Sequence, residues 1–225
     1  MKSFPFLMLE GKKYPTVIIG EDLFTGWFTK CPLFFSEEER SGRYKETITK
    51  AYDLGVRGFS ISPHPTLVSV LREFKIEHPD IVCIANPHFG SHYFVGEESL
   101  WSLENREKLE KSNFSDKEIR QFRLDEKEYC EKLVQFKEFC DFCLVGNIGK
   151  NALMLLGRED IIVREIVIAW EKGLVPLSIA ETGSLVLPDL ERLKVGGHWV
   201  LMSPLLDSSV IQLKKELGKC KKPVT

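Results

Sequence analysis

LGVRGFSISPHPTLVSVLREFKIEHPDIVCIANPH, residues 54–88, holds one strand, one helix and a second strand, with polar side chains gathered at both strand ends. VRGFSIS is short and bears Phe and Ile, and Ser-Pro-His-Pro closes it. Pro65 suits the first turn of a helix, where a missing N–H costs nothing. Leu67, Val70, Leu71 and Phe74 recur at helical spacing, and His78-Pro79-Asp80 breaks the run before the apolar strand IVCIA. The stretch is therefore a β-α-β unit. Ligands of α/β folds bind at the carboxyl ends of the strands, which is where Ser62, His64, Asn86 and His88 fall.

The totals narrow the classes. A chain of 225 residues, 43% hydrophobic, buries a core without a metal or disulfide staple. Its formal charge of -2 gives no footprint for nucleic acid or an anionic membrane, so neither is expected as a partner. No apolar run approaches the roughly 20 residues of a membrane span, and MKSFPFLMLEGKK lacks the features of a signal peptide, so a cytoplasmic location is expected. The six cysteines are scattered. Cys140 and Cys143 spell C-x-x-C on the strand-like stretch FCDFCLVG, where a period of two sends the sulfurs to opposite faces and favours a structural role.

Outward from the central unit, FPFLMLEGKKYPTVIIG predicts a hairpin, expected to plug one end of a barrel, followed by the first core strand. Residues 21–42 form a long irregular stretch with Phe24, Trp27, Phe28, Phe34 and Phe35, expected as an aromatic lid. Residues 89–125 are polar and charge-rich, a helical insertion in a strand-to-helix loop, with Ser115 to Glu118 resembling a capping box. The helix around Ile161–Trp170 is apolar over most of its circumference, which demands burial or a second subunit. Strand and helix alternate to the end of the chain, so the expected fold is a single α/β domain over residues 1–225. Six strands are counted, and the expectation is a parallel (β/α) TIM-type barrel with an N-terminal hairpin, complete or lacking its last one or two units. Missing units leave an open edge that a homo-oligomer would cover.

The hairpin, AYDLGVRGFSISP and DIVCIANPHFG resemble the opening of an aldo/keto reductase-type barrel, over residues 4–147. The resemblance implies the barrel. It does not carry the reaction across, because the four catalytic positions hold Ser60, Pro65, Asn86 or Pro87, and Gly146. Without the tyrosine and lysine of that tetrad a carbonyl oxygen has no proton donor during hydride transfer. PTVIIGEDLF and SPHP also resemble an uncharacterised family of barrel proteins, from which no activity follows.

Strand ends supply the candidate chemistry. His64, His88 and Glu181 suit a divalent metal as imidazole and carboxylate ligands, or act with Asn86 in proton transfer. Glu181 follows a buried strand, where desolvation raises a carboxyl pKa toward a useful value; a helix N-terminal carboxylate or a partner for Lys150 is the plainer role. Ser62, Asn147 and Lys150 are expected to touch substrate, with Trp27 and Phe28 closing over it. For each histidine beside a proline, a turn residue bonded to backbone is the competing reading. The chain has no phosphate loop, no G-x-G-x-x-G and no G-x-S-x-G. The expected function is a small-molecule enzyme of the lyase, isomerase or hydrolase type, metal-assisted where a metal binds. The alternative is a non-catalytic ligand-binding or assembly protein.

Overall fold

The computed structural model describes residues 3–21, 24, 35–87, 92–111, 113–146, 153–179 and 200–202. β1 (Phe6–Leu9) and β2 (Lys12–Pro15) form a hairpin, and β3 (Ile18–Ile19) precedes α1 (Glu37–Asp53), β4 (Gly58–Ile61), α2 (Pro65–Glu77) and β5 (Val82–Ala85). Then come β6 (Tyr93–Val95), β7 (Glu98–Ser99), α3 (Leu103–Glu110), α4 (Asp116–Ile119), β8 (Phe122–Leu124), α5 (Glu126–Val134), β9 (Cys140–Val145), α6 (Glu159–Glu171), β10 (Val175–Ile179) and β11 (Val200–Met202).

The parallel strands β3, β4, β5, β9, β10 and β11 lie side by side in chain order. This corrects the expected TIM-type barrel, whole or abbreviated: among the described residues the sheet is open, with β3 and β11 as its edges. Closing a barrel requires the last strand to hydrogen-bond the first. β3 offers only two residues, and both pair with β4.

Alternation along the strands explains the layers. Phe59, Ile61, Cys83, Ala85, Cys143 and Val145 join a cluster with Ile48, Leu71, Leu133 and Ile162, so α1, α2, α5 and α6 cover one face. Val82, Ile84, Phe142, Leu144, Val175 and Leu177 pack instead with Leu9 and Tyr14 of the hairpin. The hairpin thus covers the second face, with Tyr14 edge-on to Phe142 at 5.2 Å. Its two-residue turn places Glu10 and Gly11 at φ 50° and 75°, the geometry whose twist matches the flanking strands.

A bulge in β9 changes the reading of C-x-x-C. Cys83 pairs with Cys140 while Ile84 pairs with Phe142, so Asp141 is the extra residue. One added residue resets the alternation, and Cys140 and Cys143 both lie in the helix-facing cluster rather than on opposite faces. Burial pushes the Cys83 thiol up to about 12 and raises the other two as well, leaving all three protonated and inert.

Local signals set the helix starts. α1 opens on a capping box between Ser36 and Glu39, inside the stretch expected to be irregular. The expected helical insertion contains the antiparallel sheet β7-β6-β8 as well as α3 and α4. α4 begins with the anticipated box between Ser115 and Glu118. No helix among the described residues is long and apolar enough to cross a membrane.

Gly58 opens β4 where the chain enters from α1. A Cβ there would stand 2.5 Å from Pro15 Cγ, 2.7 Å from the Val17 carbonyl oxygen and 2.8 Å from Ile18 Cγ1. One of those neighbours is backbone, so relief requires the hairpin exit to move. Gly58→Ala is expected to cost about 1–3 kcal/mol as overpacking, read as a lower urea midpoint at unchanged m-value.

Candidate functional site

The strand pairing that builds the sheet also builds its polar edge. Ile61 sits opposite Ala85, and the Asn86 N–H donates to the Ile61 carbonyl at 2.7 Å, which brings Asn86 beside Ser62. Since Phe59 and Ile61 face the helices, the alternation puts Ser60 on the hairpin side, with Ser62 continuing it beyond the strand. Asn86 continues the series Val82, Ile84 in the same way. The apolar layer of that face therefore ends in Ser60, Ser62 and Asn86. Glu21, just after β3, joins them: the Asn86 side-chain amide donates to its carboxylate, fixing its orientation. Glu21 is buried despite its charge.

Among the described residues, three polar atoms in this region are buried and have no hydrogen-bond partner: Ser60 Oγ, Ser62 Oγ and His64 Nδ1. Ser62 is only 1% exposed. Buried polar groups are nearly always paired, and leaving one unpaired costs about 1–3 kcal/mol. Such a cluster marks a place where the fold yields stability to something else.

His64 is the N-cap of α2, but its side chain makes no capping bond. Its ring lies 6.2 Å, edge to face, from that of Tyr44 on α1. The Tyr44 hydroxyl donates to the Phe24 carbonyl, which ties the one described lid aromatic between residues 21 and 34 to α1. Burial lowers the His64 pKa from its ordinary value; the Arg40 charge lowers it further, and Glu37 opposes both. His64 is consequently a neutral imidazole at pH 7.

Of the residues expected at the site, the structure thus brings together Ser62, His64 and Asn86, with Glu21 beside them. His88, Asn147, Lys150, Glu181, Trp27 and Phe28 lie outside the described residues. The metal set His64, His88 and Glu181 falls largely there, and no group of three His, Cys, Asp or Glu among the described residues is placed to hold a metal ion.

A second polar cluster lies within the helix layer. His92 and Glu165 are both wholly buried, with Nε2 2.9 Å from Oε1, and the Tyr93 hydroxyl donates to the other carboxylate oxygen at 2.6 Å. Tyr129 stacks on His92 at 4.7 Å and its hydroxyl lies 3.8 Å from Cys143 Sγ. Burial and the Glu165 charge hold the Tyr93 hydroxyl far above its ordinary range; burial does the same for Tyr129. Among the described residues every member of this network is buried, and it fastens the insertion to α6. Its visible signal was Glu165, a carboxylate on the buried stripe of Ile161, Ile162, Ile166 and Ala169.

Two outcomes follow. Glu165→Ala removes the buried carboxylate that faces His92 and accepts from Tyr93, and is expected to lower stability by about 3–5 kcal/mol, measured by urea unfolding. Because the folded pKa of His64 lies below its unfolded value, its neutral form stabilises the protein above the unfolded pKa, and that contribution is lost as pH falls toward the folded one. Removing the Arg40 charge raises the folded value, so an NMR titration of the His64 ring in Arg40→Gln should show an upward pKa shift. The chain matches no protein-family model and no curated protein, so the chemistry of this edge is argued from its own residues.

Proposed function

We propose that this chain is a small-molecule enzyme whose substrate binds at the carboxyl edge of the parallel sheet, against Ser60, Ser62 and His64. The supporting observation is the set of buried, unpartnered polar atoms there. A bound polar molecule supplies their missing partners and offsets the cost of burying them. Glu21, oriented by Asn86, is the group for proton transfer. His64 is neutral and serves as a hydrogen-bond partner or as a proton acceptor. This arrangement suits proton abstraction or water activation, the chemistry of lyases, isomerases and hydrolases. Hydride transfer has no place in the proposal, since Ser60 and Asn86 stand where the resembled family has acid and lysine.

The reading predicts an inverse relation between stability and binding. Ser62→Ala removes an unsatisfied hydroxyl and should stabilise the ligand-free protein by about 1 kcal/mol, a Tm rise of roughly 2–4 °C for a chain of this size. The same variant should lose the thermal shift that hits from a library of small polar metabolites give the wild type. A destabilised Ser62→Ala that still binds every hit would overturn the site. For any hit, exchange of a carbon-bound proton with deuterated water is expected in the wild type and not in Glu21→Gln. Binding without exchange would leave a ligand-binding protein without catalysis.

A further inference from the structure

The corner where α1 and α2 begin holds a charge that no salt bridge among the described residues answers. Arg40 lies one helical turn before Tyr44 on α1, so the two share a face, and Tyr44 packs against His64 at the start of α2. Arg40 is half-buried, and among the described residues its wholly buried Nε has no hydrogen-bond partner and the side chain makes no salt bridge. Arginine is a planar fork suited to carboxylate and phosphate oxygens, and a buried Nε–H without an acceptor leaves part of that fork unused.

The start of α2, which meets α1 through Tyr44 and His64, carries polar groups that are also unpartnered among the described residues. Ser62 Oγ, 1% exposed, has no partner, and the Ser62 carbonyl accepts from the His64 N–H at 2.7 Å, which keeps it next to the first turn of α2. His64 Nδ1 has none either. The 13-residue helix α2 has no acidic side chain in its first turn and no side-chain cap, so nothing among those residues answers its leading N–H groups or the positive end of its dipole. The acidic groups nearby are otherwise placed. Glu39 closes the capping box with Ser36, Glu37 is solvent-exposed, and Glu21 accepts from Asn86.

We propose that the ligand of the sheet edge is an oxyanion, a phosphorylated or carboxylated small molecule, whose charged group is held by Arg40, Ser62, His64 and the first turn of α2. This rests on the site reading above and names its ligand class. The anionic group anchors the molecule at the start of α2. Its remaining atoms extend along the edge toward Glu21, which follows β3, and Asn86, which follows β5, the two strands on either side of β4.

The test uses the full chain with inorganic phosphate and malonate as separate probes, each titrated at constant ionic strength so that general screening is held fixed. A saturable rise in Tm with either probe is expected, following mass-action stabilisation by a ligand of the native state. Phosphate acting alone assigns a phosphorylated ligand, malonate alone a carboxylated one. Arg40→Gln should weaken probe binding by at least about tenfold and Arg40→Lys by less, since lysine keeps the charge but loses the fork. The exposed Arg106→Gln serves as control and should bind as wild type. Both Arg40 variants are at a half-buried helix position, and a probe-free Tm near that of the wild type certifies their fold. Absence of a shift with both probes, or equal binding by Arg40→Gln, overturns the oxyanion. If neutral hits still shift the wild type and not Ser62→Ala, the site survives and only its ligand class falls; if they do not, both readings fall.

Discussion

The central strands expose alternate side chains to two unlike partners, and everything else is arranged around that division. Phe59, Ile61, Cys83 and Ala85 are sealed by helices, while Val82, Ile84, Phe142 and Leu144 are sealed by a single hairpin. A parallel strand buried on both faces has little room for polar residues along its length. Polar groups are therefore displaced to the strand ends, and Ser62, His64 and Asn86 collect at the carboxyl edge. The location of the candidate site follows from how the apolar layers are filled.

The insertion between β5 and β9 obeys a different constraint. Its antiparallel strands are too short to stand by themselves, and they are held to the main body through Glu165, which receives Tyr93 and faces His92. Arg164, the next residue along α6, grips Glu126 with two contacts of 2.8 Å on the outer side. The buried carboxylate fixes position, because only one placement of the insertion satisfies it; the surface pair adds little energy of its own. α6 meets its apolar demand within the chain: Ile161, Ile162, Ile166 and Ile168 are buried, and Trp170 remains half exposed.

Much of this was legible from residues 54–88, where Pro65, the i, i+3, i+4 leucines and the short apolar runs announced strand, helix and strand in their observed places. The polar edge was legible for the same reason: a strand end is a sequence position as well as a place in space. Closure was not. Whether β3 reaches a last strand depends on stagger and strand length, and two paired residues at Ile18 and Ile19 leave no trace in composition. The Asp141 bulge was hidden likewise, since an extra residue in a ladder is visible only against its partner strand. Asn86 was picked out as a strand-end residue, yet its hydrogen bond to Glu21 joins positions far apart in the chain. His92 carries no sequence signal because its partner lies on α6, and Arg40 fell within the stretch expected to be irregular, where nothing in the sequence marks how it packs.

Asp141, pushed out of register at the start of β9, sits between the two sides of the sheet. Lys12 reaches it from the hairpin and also caps the Gly173 carbonyl, while Lys75 comes from α2 and bonds the Phe139 carbonyl at 2.8 Å. At the same end Arg57 joins β4 to Asp80 at 2.6 Å. The amino end of the sheet is thus laced shut by charges that span its layers, and the carboxyl end is where buried polar atoms lack partners. Mechanical integrity and chemical opportunity occupy opposite poles of the molecule. Substitutions that retune the recognition pole leave the lacing at the other untouched, which gives this architecture latitude to change what it binds while keeping how it stands.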